Sequence, residues 1–155
     1  MSYLRYSIRP TFAASETLRE HPPMRLDMPE FIVMYWREHI ASDPTIDTYK
    51  ENLLVIAVDT KFNVMGHHLV SVGTQDQCPI SIPEALRPVI LAGTNRFIMV
   101  HNHPSGDCYP SESDRLVTKR MREACELMGM KLIDHVIIGS AAHESYYSFL
   151  ENGMP

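Results

Sequence analysis

Two histidines and an aspartate, His101, His103 and Asp114, have the types and the spacing to hold one metal ion. They lie in the run His101-Asn102-His103-Pro104-Ser105-Gly106-Asp107-Cys108-Tyr109-Pro110-Ser111-Glu112-Ser113-Asp114. The preceding Arg96-Phe97-Ile98-Met99-Val100 is apolar and β-prone and predicts a strand that ends at the histidines. Residues i and i+2 of a strand share a face, so both imidazoles reach one point while Asn102 turns away. Pro104, Ser105, Gly106 and Pro110 predict a compact loop, and residues 111–114 open a helix that brings a carboxylate back. Two imidazoles and one carboxylate leave a coordination position free, the pattern of catalytic rather than structural zinc, and imidazole nitrogen favours zinc over magnesium. Each residue has a plainer reading as well. A strand-end histidine is commonly a hydrogen-bonded, half-buried side chain, and Ser111 with Asp114 fits a helix capping box. Their combination favours the metal.

The elements that must place these residues follow from periodicity. Residues 53–58 form a continuous apolar run with β-branched members, read as a buried central strand, and residues 59–63 predict a hairpin turn into a partner strand over 64–73. His67 and His68 are adjacent there and face opposite ways, so at most one reaches any shared site. A helix with Leu86, Val89, Ile90 and Leu91 ends near Gly93, ahead of the strand that carries the histidines. Residues 114–128 predict an amphipathic helix through Leu116, Val117, Met121, Ala124 and Met128, closed by Gly129. Strands over 133–138 and 146–150 complete the chain. Nearer the start, Asp27 is the expected N-cap of a helix with Phe31, Met34, Tyr35 and Ile40 on one face, reaching about Ala41. Residues 3–12 read as an edge strand or arm and 16–23 as loop. This order of elements predicts an α/β fold with a mixed, largely antiparallel sheet flanked by helices, a three-layer sandwich rather than a doubly wound parallel sheet.

The 155 residues suit one folding unit, with 45% hydrophobic and 21% charged residues describing an ordinary globular chain. No apolar stretch reaches the roughly 20 residues of a membrane span, and no basic-then-apolar signal segment opens the sequence, so a cytoplasmic protein without membrane partners is expected. Cys78, Cys108 and Cys125 are odd in number and lack Cys-x-x-Cys spacing, which argues against a disulfide framework or thiolate zinc. A net charge of −5 opposes broad attraction to nucleic-acid phosphates. Lys119, Arg120 and Arg122 remain a local basic patch or a solvated helix face.

A water activated by a metal needs a base, and Glu51 stands at the mouth of the buried 53–58 strand, where a carboxylate is either used or merely solvated. The 101–114 run resembles the signature of RadC-like proteins, a branch of the JAB/MPN metalloprotease superfamily. The superfamily pattern is a distant glutamate, His-x-His, seven residues, serine, two residues, aspartate, and the counts from His103 to Ser111 to Asp114 agree. Glu-Asn-Leu-Leu-Val-Ile-Ala-Val-Asp, from Glu51 to Asp59, is similar to the strand of the family glutamate, and Leu132-Ile133-Asp134-His135-Val136-Ile137-Ile138-Gly139 with Tyr147-Ser148-Phe149 is similar to the closing strands. The resemblance covers residues 45–155 and implies a metallohydrolase domain there, with 1–44 an N-terminal arm and helix packed on it. It implies Zn²⁺ on His101, His103 and Asp114, Glu51 as general acid/base, and Ser111 as a donor to the developing oxyanion. The implied reaction is hydrolysis of an amide bond in a peptide or isopeptide substrate, by a metallopeptidase-type enzyme that is compatible with a homo-oligomer. The alternative is a DNA-repair or mobile-element accessory domain that binds nucleic acid or a protein partner around a structural metal site. Asn102 follows the RadC-like branch, whereas peptidase members commonly carry serine or threonine there. Cys108 stands where that branch often has proline, and Ala141-Ala142-His143-Glu144 lengthens a usually short loop. His135 reads either as a residue that orients a ligand or as part of a satisfied core pair with Asp134.

Overall fold

The structure is a computed structural model that describes residues 24–73, 80–139 and 145–153. The readings for 3–12 and 16–23, Cys78 and the 141–144 loop lie outside the described residues. Helix α1 (Pro29–Tyr35) runs on into a π-helical turn (Trp36–Ile40). Strands β1 (Asn52–Val58) and β2 (Val64–Val72) follow, then α2 (Ile82–Leu91), β3 (Arg96–Asn102), α3 (Glu112–Met128), β4 (Lys131–Ile138) and β5 (Tyr146–Ser148). The five strands form one sheet in the order β2-β1-β3-β4-β5. Only β3 and β4 are parallel, joined across α3, and the other pairs are antiparallel. This is the mixed α/β sheet with flanking helices expected from the element order.

Strand β1 is buried along its whole length because helices cover both faces of the sheet. Leu54, Ile56 and Val58 pack with Ile98, Val100 and Val136 beneath Ile32, Val33, Tyr35, Trp36 and Ile40. Leu53 and Val55 turn to the opposite face, with Phe97 and Met99, beneath Ala85, Leu86, Val89, Met121 and Cys125. The β1–β2 turn forms as expected: Asp59 Oδ1 accepts the N–H groups of Lys61 and Asn63, and Phe62 sits in the left-handed region at φ 66°.

Three details differ from expectation. Met28, not Asp27, precedes the first helical residue, and the Asp27 carboxylate instead pairs with Arg25 at 2.8 Å. Phe31 and Met34 are exposed, and Ile32, Val33, Trp36 and Ile40 form the face that packs on the sheet instead. Helix α3 starts at Glu112 and buries Thr118, Met121 and Cys125, whereas Leu116 and Met128 are 56% and 53% exposed. A threonine takes the core-facing position there because it serves a buried polar cluster beneath the helix.

Candidate metal centre

Strand β3 delivers His101 with its side chain almost fully buried, and His103 follows one residue beyond the strand, where its N–H donates to Ile138 O at 2.8 Å. The chain then turns at Gly106, whose φ of 86° suits glycine. The turn packs against Gly139, where an added Cβ would stand 2.6 Å from Gly106 O and 3.2 Å from Cys108 Cβ. Cys108 is therefore a close-packed filler of the loop. Helix α3 begins immediately after, with Ser111 as N-cap: its hydroxyl accepts the Asp114 N–H, and its own N–H and O–H donate to Asp114 Oδ2 at 2.8 and 2.5 Å. The capping box and the metal reading thus share one carboxylate. Fixing Asp114 at the helix start aims it at the histidines, with Oδ1 3.2 Å from His101 Nε2 and Oδ2 3.5 Å from His103 Nε2.

The three residues offer ligand atoms that all lie within 4.8 Å of one another. Two nitrogens about 2.0–2.1 Å from a tetrahedral zinc stand about 3.3 Å apart. The two Nε2 atoms are 3.0 Å apart, and the nitrogen–carboxylate distances fall either side of that value. The donor spacing therefore fits a single small cation.

Proton bookkeeping decides what those atoms present. Thr118 Oγ1 lies 2.6 Å from the Asp114 backbone carbonyl and 2.6 Å from His135 Nδ1. A carbonyl only accepts, so the one hydroxyl proton goes to Asp114 O, and His135 Nδ1 must bring its own proton. Burial keeps His135 neutral, well below the ordinary histidine range, so its Nε2 is a bare acceptor. That acceptor sits 2.9 Å from His101 Nδ1, which must then be the donor. His101, whose proton affinity burial also lowers, is left with an unprotonated Nε2 facing Asp114. When neutral, His103 reaches the same state by a shorter route, since its Nδ1 donates to Asp107 O at 2.7 Å. Two lone pairs and a carboxylate meeting at about 3 Å repel one another unless a cation lies between them.

The remaining charges agree. Burial opposes ionisation of Asp114, but a proton on either imidazole, which Asp114 would accept from His101 or His103, and the Ser111 hydroxyl outweigh it and hold the carboxyl of the metal-free group well below its usual range. For His103 burial acts downward, while Asp114, the Asp107 carbonyl and the charge of Glu51 together prevail and raise it. Glu51 is half-buried at the entrance to β1, and its own carbonyl accepts Gly73 N–H. The β1–β3 register pairs Leu53 with His101, so its continuation brings Glu51 opposite His103. The structure thus gathers His101, His103, Asp114 and Ser111 into one group, with Glu51 near enough for its charge to act on His103.

A family model described as the RadC-like JAB domain matches residues 26–154. The chain belongs to this family. A UPF0758 protein of Thermotoga maritima is 39% identical over 134 residues, which is 86% of this chain and 56% of that protein. One from Coprothermobacter proteolyticus is 36% identical over 134 residues, 86% of this chain and 55% of the relative. A third, from Trichlorobacter lovleyi, is 38% identical over 108 residues, 70% of this chain and 46% of the relative. The chain spans about half the length of the curated relatives it matches. Among the described residues no helix is long and apolar enough to cross a membrane.

Around the three-residue group a further layer supports it, in which the orienting alternative offered for His135 is the one found and Thr118 is the residue that sequence reasoning missed. His135 is outside the ligand group and orients His101, and Thr118 fixes the tautomer of both. The His135 ring stacks on Phe149 at 4.9 Å and 5°. Asp134 holds that stack in register: it accepts Ser148 O–H and the N–H groups of His135 and Leu150. Asn102 turns to the other face, as its alternation requires. There it accepts Asn52 N–H and donates to Thr48 O and Lys50 O, pinning the segment that carries Glu51. Thr118 could have been found from its place one helical turn after Asp114.

Proposed function

We propose that this RadC-like domain is a zinc-dependent hydrolase of the metallopeptidase or isopeptidase type, acting on an amide bond. The observation that carries the proposal is the convergence of the His101 and His103 Nε2 atoms and the Asp114 carboxylate, with the charge of Glu51 acting on His103. Zinc held by His101, His103 and Asp114 would acidify a water and polarise a substrate carbonyl. Glu51 would accept a proton from the attacking water and return it to the departing amine, a role that suits a half-buried carboxylate whose charge reaches His103. Ser111 keeps Asp114 in place through its backbone N–H, leaving its hydroxyl able to swing from Oδ2 to the oxygen that gains negative charge. Such a donor contributes about 3 kcal/mol to a transition state of this kind. His135 and Thr118 keep the His101 proton on Nδ1, away from the ligand position.

The test is Glu51→Gln, assayed against peptide and isopeptide libraries together with zinc content. Turnover should vanish while zinc stays bound, and full activity in the variant would sink the assigned mechanism. Salt-sensitive DNA affinity that survives chelation, without hydrolysis of any amide, would support the accessory-domain alternative instead.

A further inference from the structure

Tyr109 stands in the loop between the metal-ligand candidates, and its side chain is 66% exposed although several contacts fix it. Its N–H donates to Asp107 Oδ1 at 2.9 Å, and the Asp107 carbonyl accepts His103 Nδ1–H, so one residue ties Tyr109 to His103. The buried Pro110 follows and confines the Tyr109 backbone to extended conformations. Arg115, the residue after Asp114, holds its guanidinium over the ring, 5.3 Å from the centroid. The ring also meets Tyr147 edge-on at 5.9 Å, Tyr147 meets Phe149, and Phe149 stacks on His135. A row of four rings thus runs from the histidine that orients His101 out to solvent at Tyr109. The hydrolysis described above makes no use of Tyr109. A tyrosine held in place with most of its surface open loses little freedom on binding and offers a broad apolar contact. Arg115 already supplies positive charge to the ring, so a second cation gains little there, whereas an apolar side chain gains contact area and an aromatic one also gains ring geometry. Asp107, Glu112 and Asp114 all lie within five residues of Tyr109, and this concentration of carboxylates opposes a phosphate backbone.

We propose that Tyr109 is a specificity-determining residue, its open ring surface receiving an apolar side chain, best an aromatic one, carried by a peptide substrate close to the scissile amide. The proposal rests on the hydrolase reading for the word substrate, but the ring contact it asserts needs neither metal nor turnover.

The test is an NMR titration of the full chain in chelator, with isotope-labelled tyrosine rings and the Tyr109 signals assigned by their loss in Tyr109→Phe. The probes are N-acetyl-Gly-Phe-Gly amide, the same peptide with alanine or lysine at its centre, and oligothymidylate. The phenylalanine probe should shift the Tyr109 ring signals and bind about three- to tenfold tighter than the alanine probe, and the lysine probe no tighter than the alanine probe. Tyr109→Ala should erase the preference, and Tyr109→Phe, which keeps the ring and removes the hydroxyl, should retain it. Equal binding of the phenylalanine and alanine probes to the unmodified chain overturns the proposal even if Tyr109→Ala cannot be folded, and so do Tyr109 ring signals that stay still while the phenylalanine probe binds. A preference that persists in folded Tyr109→Ala overturns it as well, as does a lysine probe that binds as tightly as the phenylalanine probe. Oligothymidylate that shifts the ring while the peptides are not distinguished would overturn it in favour of single-stranded nucleic acid. Zinc-dependent amide cleavage indifferent to the neighbouring side chain would refute the subsite and leave the hydrolase reading intact, whereas Tyr109-dependent binding without cleavage would do the reverse.

Discussion

Replacing Thr118 with valine keeps the shape of the side chain and removes the oxygen on which the tautomer chain depends. Thr118 is buried, its hydroxyl donates to Asp114 O, and its oxygen accepts His135 Nδ1–H at 2.6 Å. In Thr118→Val the His135 Nδ1–H loses its only acceptor in this chain of bonds. The buried pair can then relax by moving protons: His135 donates from Nε2 to His101 Nδ1, and His101 carries its proton on Nε2, aimed at Asp114 3.2 Å away. That arrangement satisfies the metal-free protein and blocks a ligand position. A buried polar group left unsatisfied costs about 1–3 kcal/mol. For a chain of this size each kcal/mol moves the melting temperature by about 2–4 °C, so the variant should melt about 2–12 °C lower. Loss of an outer partner of a ligating histidine typically weakens metal binding about 10–100-fold. Zinc affinity measured by chelator competition, alongside melting curves with and without zinc, reads both effects. Zinc affinity equal to the unmodified protein's, with the melting temperature unmoved, would refute the proton assignment for His101.

Asn102→Ala strips the clamp from Asn52 N–H and from the Thr48 and Lys50 carbonyls. Stability in urea should fall by about 2–3 kcal/mol, and turnover should fall while zinc content holds, because the segment that loosens carries Glu51. Acid should destabilise the fold ahead of any effect on carboxylates elsewhere. Burial holds His67, which pairs with Tyr35 Oη at 2.7 Å, and His135 below the ordinary histidine value of 6.5. The unfolded chain therefore binds more protons than the folded one below 6.5, so the stability these two residues contribute is complete above that pH and is lost as pH falls through it. Melting temperature followed between about pH 7 and pH 5 should drop, with a shallower slope in His67→Gln, and a flat profile would contradict the burial of neutral rings.

Much of this molecule is legible from its residues because the strong signals are local. Residues 53–58 of β1 are apolar throughout because both faces of the strand are covered, and the strand, loop and helix-cap sequence from Arg96 to Asp114 fixes where His101, His103 and Asp114 converge. Helix faces were harder to read. Leu116 and Met128 satisfy an apolar count yet face outward, whereas polar Thr118 faces inward because His135, on a strand distant in sequence, needs its oxygen. The π turn after Tyr35 likewise follows from packing on the sheet, and no periodicity in residues 29–41 announces it. From the sequence Asn102 reads as a mark of the RadC-like branch and as the residue that points away from the site. Its function appears once the 48–52 segment is seen lying across it.

The metal content of tag-free protein, determined by elemental analysis beside an identically prepared His101→Ala/His103→Ala variant, tests the reading of the His101, His103 and Asp114 group most directly. About one zinc per chain, absent from the folded variant, is the expected result. No metal in either protein, with both folded and zinc not taken up on addition, would contradict it.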